Sequence, residues 1–378
     1  MKQQTTRALA VVAVLLAGAG PARADFDLSE IRLPPGFEIE EYVTGVRNAR
    51  SMAIGENGTL FIGTRRIGKV HAVRDPGGPD QEVLELASRL IDPNGVAVRG
   101  SSLFVAEIHR VLEYENVEAR LGERISPKVF HDGMPTDRHH GWRAMGFAPD
   151  GWLYVAQGAP CNVCDTYATI DRIPPQGGER EVWARGVRNS VGLAWHPETG
   201  DLWFTENGRD LMGDDIPPCE LNHAPRAGMH FGFPFCHGTD IPDPDPKWGD
   251  LGDCASATPP AQELGPHVAP VGLAFYTGDA FPAEYKGRLF VAEHGSWNRS
   301  RKIGYRVMML ELEGDKVVSY EPFAEGWLQV EETTEGEETT YREEVLGRPA
   351  YVLVHPDGSL LISDDQRGVV YRVRYTGD

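Results

Sequence analysis

The sequence is short of positive charge. It has 37 Lys and Arg residues against 56 Asp and Glu, which gives a formal net charge of -19 at pH 7. A surface this acidic repels phosphate backbones and anionic lipid headgroups. Nucleic acid and membrane surfaces are therefore not expected partners. A neutral small molecule, or a buried anionic ligand held by a few local cations, is compatible with the charge.

Long apolar runs and long amphipathic helical patterns are also missing. The apolar stretch at residues 8–19 has about a dozen residues, whereas a membrane-spanning helix needs about 20. It follows Lys2 and Arg7 and precedes Ala22-Arg23-Ala24, a small-residue cleavage pattern. We therefore expect residues 1–24 to be a cleaved signal peptide and the mature chain to be secreted or periplasmic, without membrane insertion. An uncleaved anchor is the alternative.

The lack of a long amphipathic helix argues against a Rossmann or α/β-barrel enzyme. Cysteine is scarce as well, with five residues. The motif Cys161-Asn-Val-Cys164 is followed by Asp165 instead of His, which excludes c-type haem attachment. No second closely spaced pair exists to complete a four-cysteine zinc site.

Two disulfides and one free thiol are expected in an oxidising compartment. Cys236 and Cys254 flank a stretch rich in Pro, Asp and Gly, and we predict that they are bonded to each other. Cys161 pairs with Cys164, or one of these two reaches Cys219, and the sequence leaves both possibilities open.

What the sequence does contain is a sixfold repeat of strand, tight turn and strand. The turns Asn57-Gly58, Asp150-Gly151 and Asp357-Gly358 tolerate the positive φ angles of hairpins. A leucine opens the second strand of each copy, at positions 60, 103, 153, 202, 289 and 360. A period of about 40–50 residues built only from strands is typical of propeller blades. The sequence therefore predicts an all-β, six-bladed β-propeller over residues 25–378.

Two features of this propeller follow from the spacing. The strand-like segment 37–42 is predicted to complete the blade that contains the C-terminal strands, which closes the ring. The two longest steps between repeats predict insertions at about residues 209–266 and 325–346. The second insertion is rich in Glu, and we expect it to be an acidic, solvated loop.

Polar clusters adjoin the repeats at equivalent points. Three of them precede the first strand of a repeat and one follows a second strand, so the geometry of a ring should bring them together at one end of the central channel. They are His139-His140-Gly141-Trp142-Arg143, Gly186-Val187-Arg188-Asn189-Ser190, Thr205-Glu206-Asn207-Gly208-Arg209-Asp210 and Gly347-Arg348-Pro349.

These motifs, with three further ones, resemble the soluble aldose (glucose/sorbosone) dehydrogenases that depend on pyrroloquinoline quinone (PQQ). The resemblance covers about residues 33–375. It implies a six-bladed propeller that binds PQQ and calcium and oxidises an aldose sugar, or a sorbosone-like aldehyde, at C1, with electrons passing to an external acceptor. The further motifs are Pro160-Cys-Asn-Val-Cys164, His267-Val-Ala-Pro270 and His294-Gly-Ser-Trp-Asn298.

The resemblance also implies residue roles. His140 corresponds to the catalytic base, and Arg188 and Asn189 to a cofactor-binding pair. Arg188 would in addition stabilise the negative charge that develops on the quinone oxygen, and it is therefore also a catalytic candidate. Gly208 and Arg209 correspond to the residues whose backbone carbonyls bind calcium.

Some positions depart from the family pattern. Arg348 corresponds to the first of two arginines that bind the cofactor carboxylates, but the second falls on Ala350. The cofactor-binding lysine falls on Gly295, and Arg299 is the nearest cation that could substitute. His139 stands where the glucose enzymes have Asp.

The residue types suit this chemistry, because histidine titrates near neutral pH and a tricarboxylate needs arginines. Two other functions are compatible with a propeller. A calcium-dependent sugar lactonase could use Glu206, Asn189 and Asp364 around an axial metal. A non-catalytic propeller could bind a partner protein on one face. Arginines at the channel favour the anionic cofactor.

Overall fold

The computed structural model describes residues 26–336 and 338–377, and the expected signal peptide lies outside them. Six sheets, each built on four antiparallel strands, form the blades of a propeller, which confirms the predicted fold. From the inner to the outer strand, blade 1 is Met52–Ile54, Leu60–Gly63, Val70–Arg74 and Glu82–Ala87; blade 2 is Gly95–Arg99, Ser102–Ala106, Val111–Tyr114 and Lys128–His131; and blade 3 is Met145–Phe147, Leu153–Gln157, Thr169–Ile173 and Glu181–Arg185. Blade 4 is Leu193–Trp195, Leu202–Glu206, Pro218–Ala224 and Gln262–Pro266; blade 5 is Pro270–Phe275, Leu289–Glu293, Arg306–Glu313 and Lys316–Ala324; and blade 6 is Pro349–Val354, Leu360–Asp364, Val369–Tyr375 and Phe37–Val43.

The ring closes as the sequence predicts. Phe37–Val43 pairs antiparallel with Val369–Tyr375, with Phe37 opposite Tyr375 and Ile39 opposite Val373. The first described strand therefore forms the outer edge of the last blade, so that opposite ends of the chain stabilise one sheet.

The repeated leucines explain why the blades stack. All six, at positions 60, 103, 153, 202, 289 and 360, are at most 2% exposed. Each contributes about 1.5–3 kcal/mol through burial. The tight turns before them contain Gly58, Gly151 and Gly358, at φ values of +83°, +84° and +85°. These are the left-handed conformations that the turn sequences predict.

The first expected insertion is shorter than predicted. Pro218–Ala224 and Gln262–Pro266 lie inside the range 209–266, yet they are the third and fourth strands of blade 4. Only the segment between them is extra. It contains a fifth strand of blade 3 (Met229–His230), the pair Cys236–His237 and Ile241–Pro242, the short α-helix Pro246–Gly249 and the 3-10 turn Cys254–Ser256.

The second expected insertion is an antiparallel hairpin instead of a loop. Leu328–Glu335 pairs with Glu338–Val345. Its side chains between Glu331 and Glu335 are exposed, as its acidity predicts. The many Thr residues and the Val and Tyr residues among the glutamates favour strand geometry, which explains why an acidic segment still pairs. Three further 3-10 turns complete the secondary structure of the described residues, at Leu28–Glu30, Glu118–Arg120 and Ala283–Tyr285.

The cysteines form two disulfides. Cys236 is bonded to Cys254, as predicted, and Cys161 is bonded to Cys164, which resolves the alternative that the sequence left open. Cys219 is a buried free thiol, and burial raises its pKa to about 11. In the part of the chain that the structure covers, no helix has the length and apolarity to cross a membrane.

Candidate functional site

In every blade the second strand ends at a buried polar residue or is followed directly by one. We call these six residues, each four positions after the repeated leucine, the strand-end row: Thr64, Glu107, Gln157, Glu206, Glu293 and Asp364. All are at most 4% exposed. Glu107 accepts a hydrogen bond from the Ile91 backbone N–H at 2.7 Å, and Asp364 accepts one from the Gln366 backbone N–H at 2.9 Å. Glu107 and Asp364 thus each fix a connecting loop at this end of the channel.

Three of the residues that directly follow the strand-end row, Arg65, Asn207 and His294, line a cavity of about 340 Å³. Loops of five blades line it. The cavity brings together five of the residues that the sequence selected: His140, Arg188, Asn189, Gly208 and Arg348. The expected convergence at one end of the channel is therefore present, and the individual contacts decide what each side chain can do.

His140 is buried, and its ring has a defined tautomer. Its Nδ1 lies 2.8 Å from the carbonyl oxygen of Ala159. Because a carbonyl only accepts hydrogen bonds, Nδ1 carries the proton and Nε2 keeps its lone pair. Burial lowers the pKa of His140 well below its ordinary value, and the charges of Arg188 and His139 lower it further. The ring is therefore neutral at physiological pH, the form that can accept a proton.

A glycine makes room for this histidine. A Cβ at Gly158 would lie 2.6 Å from the Cβ and 2.7 Å from the backbone oxygen of His140. His140 itself has a φ of +50°, an uncommon conformation for a residue other than glycine. The position of His140 is thus set by its neighbours and is not its own preferred geometry.

Arg188 uses all five of its N–H donors on protein acceptors. Nε donates to Asn162 O, Nη1 to Asn207 O and Gly208 O, and Nη2 to Asn162 Oδ1 and Asp210 Oδ2, at 2.8–2.9 Å. Its side chain is 2% exposed. The guanidinium is therefore a fixed positive charge that organises two loops, and in this structure none of its N–H groups is free for a ligand.

The Cys161–Cys164 disulfide explains how Arg188 is held. Asn162 lies between the two cysteines and accepts two hydrogen bonds from Arg188. The Asn162 side chain also contacts both backbone groups of Asp210, at 3.0 Å each. The disulfide thus closes a tight turn whose polar residue joins the loops on either side of Arg188, which is a structural role.

Asn189 is held by a buried carboxyl group. Its backbone N–H donates to Glu206 Oε1 at 3.2 Å. Glu206 lies opposite Glu220 on the neighbouring strand, and both are at most 5% exposed. Burial raises the pKa of Glu206 well above its ordinary value and that of Glu220 to about 7. The Arg188-Asn189 segment is thus anchored on both sides by buried hydrogen bonds.

The metal site of the lactonase alternative finds no support. Glu206 and Asp364 belong to the strand-end row, bind backbone N–H groups and do not line the cavity. Within residues 26–336 and 338–377, no three His, Cys, Asp or Glu side chains are arranged to hold a metal ion.

Three cavity arginines were missed by the sequence reasoning: Arg50, Arg65 and Arg66. The guanidinium of Arg65 lies 3.7 Å above the centre of the Trp142 ring. No carboxylate of the described chain is within ion-pair distance of it. Burial lowers the pKa of Arg65 to about 9, and the neighbouring charge of Arg50 adds to the effect. Arg65 is thus a cation without a matching anion.

Arg50 belongs to a buried triad with His294 and Asp365. Arg50 Nη1 lies 3.1 Å from Asp365 Oδ2, and His294 Nε2 lies 2.8 Å from Asp365 Oδ1. Although burial opposes the change, His294 and Arg50 hold the pKa of Asp365 well below its usual range. Arg65 and His294 occupy the same place in their repeats, directly after the strand-end row, and that shared place is the signal that could have identified Arg65.

Of the two remaining arginines that the sequence predicts to bind the cofactor, one lines the cavity and the other does not. Arg348 lines the cavity and donates to the carbonyl oxygens of His294 and Gly295, at 2.9 and 2.7 Å. Arg299 does not reach the cavity, because its guanidinium binds Asp214 O at 3.1 Å and Asp215 Oδ1 at 2.8 Å. The structure therefore gives no support to its expected role as a substitute cofactor cation.

Of the two residues expected to bind calcium, only Gly208 lines the cavity. The carbonyl of Gly208 accepts a hydrogen bond from Arg188 Nη1 at 2.8 Å, and Gly208 lines the cavity. Arg209 is not part of the lining, and its side chain pairs with Asp243.

Two curated relatives frame the comparison with known proteins. An uncharacterized protein of Borreliella burgdorferi is 29% identical over 366 residues, which is 92% of this chain and 91% of that protein. The aldose sugar dehydrogenase YliI of Escherichia coli is 26% identical over 210 residues, 49% of this chain and 50% of the enzyme.

Solved structures share the fold along most of the chain. A Trichoderma reesei carbohydrate-active enzyme of family AA12 matches with a TM-score of 0.72 at 18% identity, covering 91% of this chain and 97% of that one. The PQQ domain of pyranose dehydrogenase from Coprinopsis cinerea matches with a TM-score of 0.71 at 19% identity, with the same coverage. PQQ-bound aldose sugar dehydrogenase from Streptomyces coelicolor matches with a TM-score of 0.63 at 18% identity, covering 91% and 99%.

The family model described as TrAA12-like matches residues 176–376, more than half of the chain. This segment contains Arg188, Asn189, Gly208 and Arg348, and the last three blades except the outer strand of blade 6. The resemblance seen in the sequence motifs is therefore confirmed at the level of the family, and the chain is a member of the TrAA12-like family of β-propeller proteins.

Proposed function

We propose that this chain is a PQQ-dependent dehydrogenase that oxidises a sugar at C1, with PQQ and calcium as cofactors and an external electron acceptor. The observation that carries the proposal is the charge of the cavity. In a protein with a net charge of -19, the lining holds one carboxylate, that of Asp210. The same lining holds five arginines: Arg50, Arg65, Arg66, Arg188 and Arg348.

The residues present fit a flat anionic cofactor. PQQ is a tricarboxylate, and arginine binds carboxylates through paired, charge-assisted hydrogen bonds. Arg65 has no carboxylate partner in the described chain, and Arg348 binds only backbone oxygens. The Trp142 ring adds a flat apolar surface beside them. When bound, PQQ supplies the acceptor for the two electrons that leave the sugar.

His140 is the group suited to accept the proton of the C1 hydroxyl. The Ala159 carbonyl holds the proton on Nδ1, so Nε2 is the basic atom. Once Nε2 has taken the proton, the same carbonyl stabilises the positive ring through the Nδ1–H bond. A positioned base of this kind typically contributes 10²–10⁴-fold to the rate.

Arg188 acts through its fixed charge and through the loops that it holds. Because its donors are occupied by carbonyl and carboxylate oxygens, its positive charge stays beside the cavity without reorganisation during the reaction. Its contacts with Asn207 O and Gly208 O also shape one wall of the site.

Calcium is supported by the relatives more than by the side chains of this chain. The Trichoderma reesei family AA12 protein has been solved in a calcium structure, at 18% identity. Here the candidate ligand that lines the cavity is the Gly208 carbonyl, which accepts a hydrogen bond from Arg188. We therefore assign no reaction step to the metal.

The test is to load the mature protein with PQQ and calcium and to measure sugar-dependent reduction of a dye over a panel of aldoses. His140→Asn should bind PQQ as the parent does, by fluorescence titration, and lose 10²–10⁴-fold in kcat. His139→Asn is the matched control and should retain most activity. Loss of turnover in the His139 variant alone would move the base by one residue, and failure of the parent to bind PQQ would refute the proposal.

A further inference from the structure

The motif His294-Gly-Ser-Trp-Asn298 places a tryptophan at the mouth of the cavity. Trp297 lines the cavity, yet it is 71% exposed, among the most exposed large apolar residues of the described chain. None of the described residues makes a hydrogen bond or ring contact with its indole. A single exposed apolar side chain is ordinary at a protein surface. Trp297 differs because it also lines the cavity, where an aromatic ring can contact a ligand.

The backbone before Trp297 is held firmly. Ser296 donates its backbone N–H to Ile303 O at 2.9 Å, its Oγ accepts from the Ile303 N–H at 3.0 Å, and its carbonyl accepts from Tyr305 OH at 2.5 Å. Gly295 has a φ of +93°, and a Cβ there would lie 2.4 Å from the Tyr305 ring. The exposed indole is thus presented by a fixed support.

The backbone after Trp297 is also held, and this gives Arg299 a role. The Arg299 guanidinium binds Asp214 O and Asp215 Oδ1, and the Ser300 backbone N–H binds Asp214 Oδ1 at 3.0 Å. Arg299 therefore ties the tryptophan loop to the segment that follows blade 4's second strand. It holds the loop in place instead of binding the cofactor.

We propose that Trp297 is the platform on which the sugar ring stacks, and that Arg299 is a positioning residue for this platform. The proposal rests on the proposed function. Sugars have apolar C–H faces that pack against aromatic rings, while their hydroxyls remain available to polar groups. Trp142 is less suited to this contact because Arg65 already covers one of its faces. The indole is open to solvent at the cavity, where a substrate can reach it.

The experiment separates sugar binding from cofactor binding. Trp297→Ala should raise KM for the sugar about tenfold, the effect expected for an aromatic contact, and leave kcat and the Kd for PQQ unchanged. Trp297→Phe should recover most of the loss. Leu251→Ala removes a side chain that is 55% exposed outside the cavity and is the control, with no change expected.

Arg299→Ala shows whether Arg299 positions the tryptophan loop or contacts the cofactor. As a positioning residue, Arg299 affects KM in the same direction as Trp297, and the Kd for PQQ in fluorescence titration stays constant. A rise in the Kd for PQQ in either variant would overturn the proposal in favour of a cofactor contact. An unchanged KM in Trp297→Ala would overturn it as well.

A second readout keeps this test separate from the proposed function. Calorimetry with 1,5-anhydroglucitol, a sugar analogue without the reactive hydroxyl, measures binding without turnover. Binding that weakens in Trp297→Ala supports the platform even if no sugar is oxidised. Equal binding by both proteins refutes the platform even if the parent is an active dehydrogenase.

Discussion

Arg65 offers the sharpest test of the charge argument, through the substitution Arg65→Met. Methionine is flexible and unbranched, replaces the aliphatic stem of the arginine and removes the charge. If the cavity arginines are there for an anionic ligand, the variant should be more stable than the parent without PQQ, and it should bind PQQ more weakly. If Arg65 served the structure alone, its replacement would make the cofactor-free protein less stable.

The structure sets the magnitude. A pKa of about 9 instead of 12.5 corresponds to a charge that is disfavoured in the folded chain by about 5 kcal/mol. Partial exposure of the side chain reduces this to about 2–3 kcal/mol. Loss of the stacking on Trp142 costs about 0.5–1 kcal/mol. We therefore expect the free energy of unfolding of the cofactor-free variant to rise by about 1–2 kcal/mol.

The Arg65→Met substitution should also weaken the binding of PQQ. A charge-assisted hydrogen bond to a carboxylate contributes about 1.5–3 kcal/mol, so the Kd for PQQ should rise about 10- to 100-fold. Thermal unfolding and fluorescence titration, both without added calcium, measure the two effects. Arg374→Met, which removes an exposed partner of Glu40, should change neither by more than about 0.5 kcal/mol. A less stable Arg65→Met variant with unchanged PQQ affinity would refute the reasoning.

Three further predictions concern stability and the position of the base. Because the pKa of His140 is lowered in the folded chain, the unfolded chain binds the proton more readily below about pH 6.5, so the free energy of unfolding should fall there by up to about 1.4 kcal/mol per pH unit. Urea titrations between about pH 7 and 5 should show a shallower fall for His140→Asn; equal slopes would contradict the neutral histidine. Replacing Cys236 and Cys254 by Ser should lower the free energy of unfolding by about 3 kcal/mol, measured by urea unfolding, and no loss would show that the insertion needs no cross-link. Gly158→Ala should lower kcat about tenfold or more, with PQQ affinity unchanged, because its Cβ would displace His140; unaltered steady-state kinetics would show that the histidine tolerates the shift.

Much of the fold could be read from local patterns. The hairpins were predictable because tight turns require specific residues and because apolar strands flank them. Blade 4's third strand was not, since Pro218–Ala224 is buried on both faces and nevertheless contains Glu220 and Asn222. A strand of this kind has neither alternating apolar and polar residues nor a continuous apolar run. The sequence therefore predicts an insertion where this strand lies.

The site was predictable only where the repeat and the family motifs coincide. His140, Arg188 and Arg348 reach the cavity. Arg50 stands two residues before the first strand of blade 1, as Arg143 does in blade 3. Yet Arg143 turns away and donates to Ile108 O at 2.9 Å, while Arg50 turns inward to Asp365. A repeat fixes the level of a residue in the channel, but the rotamer decides which way it points.

The positive charge of the cavity follows from the position of the acidic residues along the channel. The acidic residues of the strand-end row, such as Glu107, Glu206 and Asp364, accept hydrogen bonds from nearby backbone N–H groups. These carboxylates therefore already have hydrogen-bond donors, and they do not line the cavity. The next residue in blade 1 is Arg65, which has no carboxylate within ion-pair distance among the described residues. The sign of a binding site is thus set by which carboxylates already have local donors, and an acidic chain can build a cationic pocket without any excess of lysine or arginine.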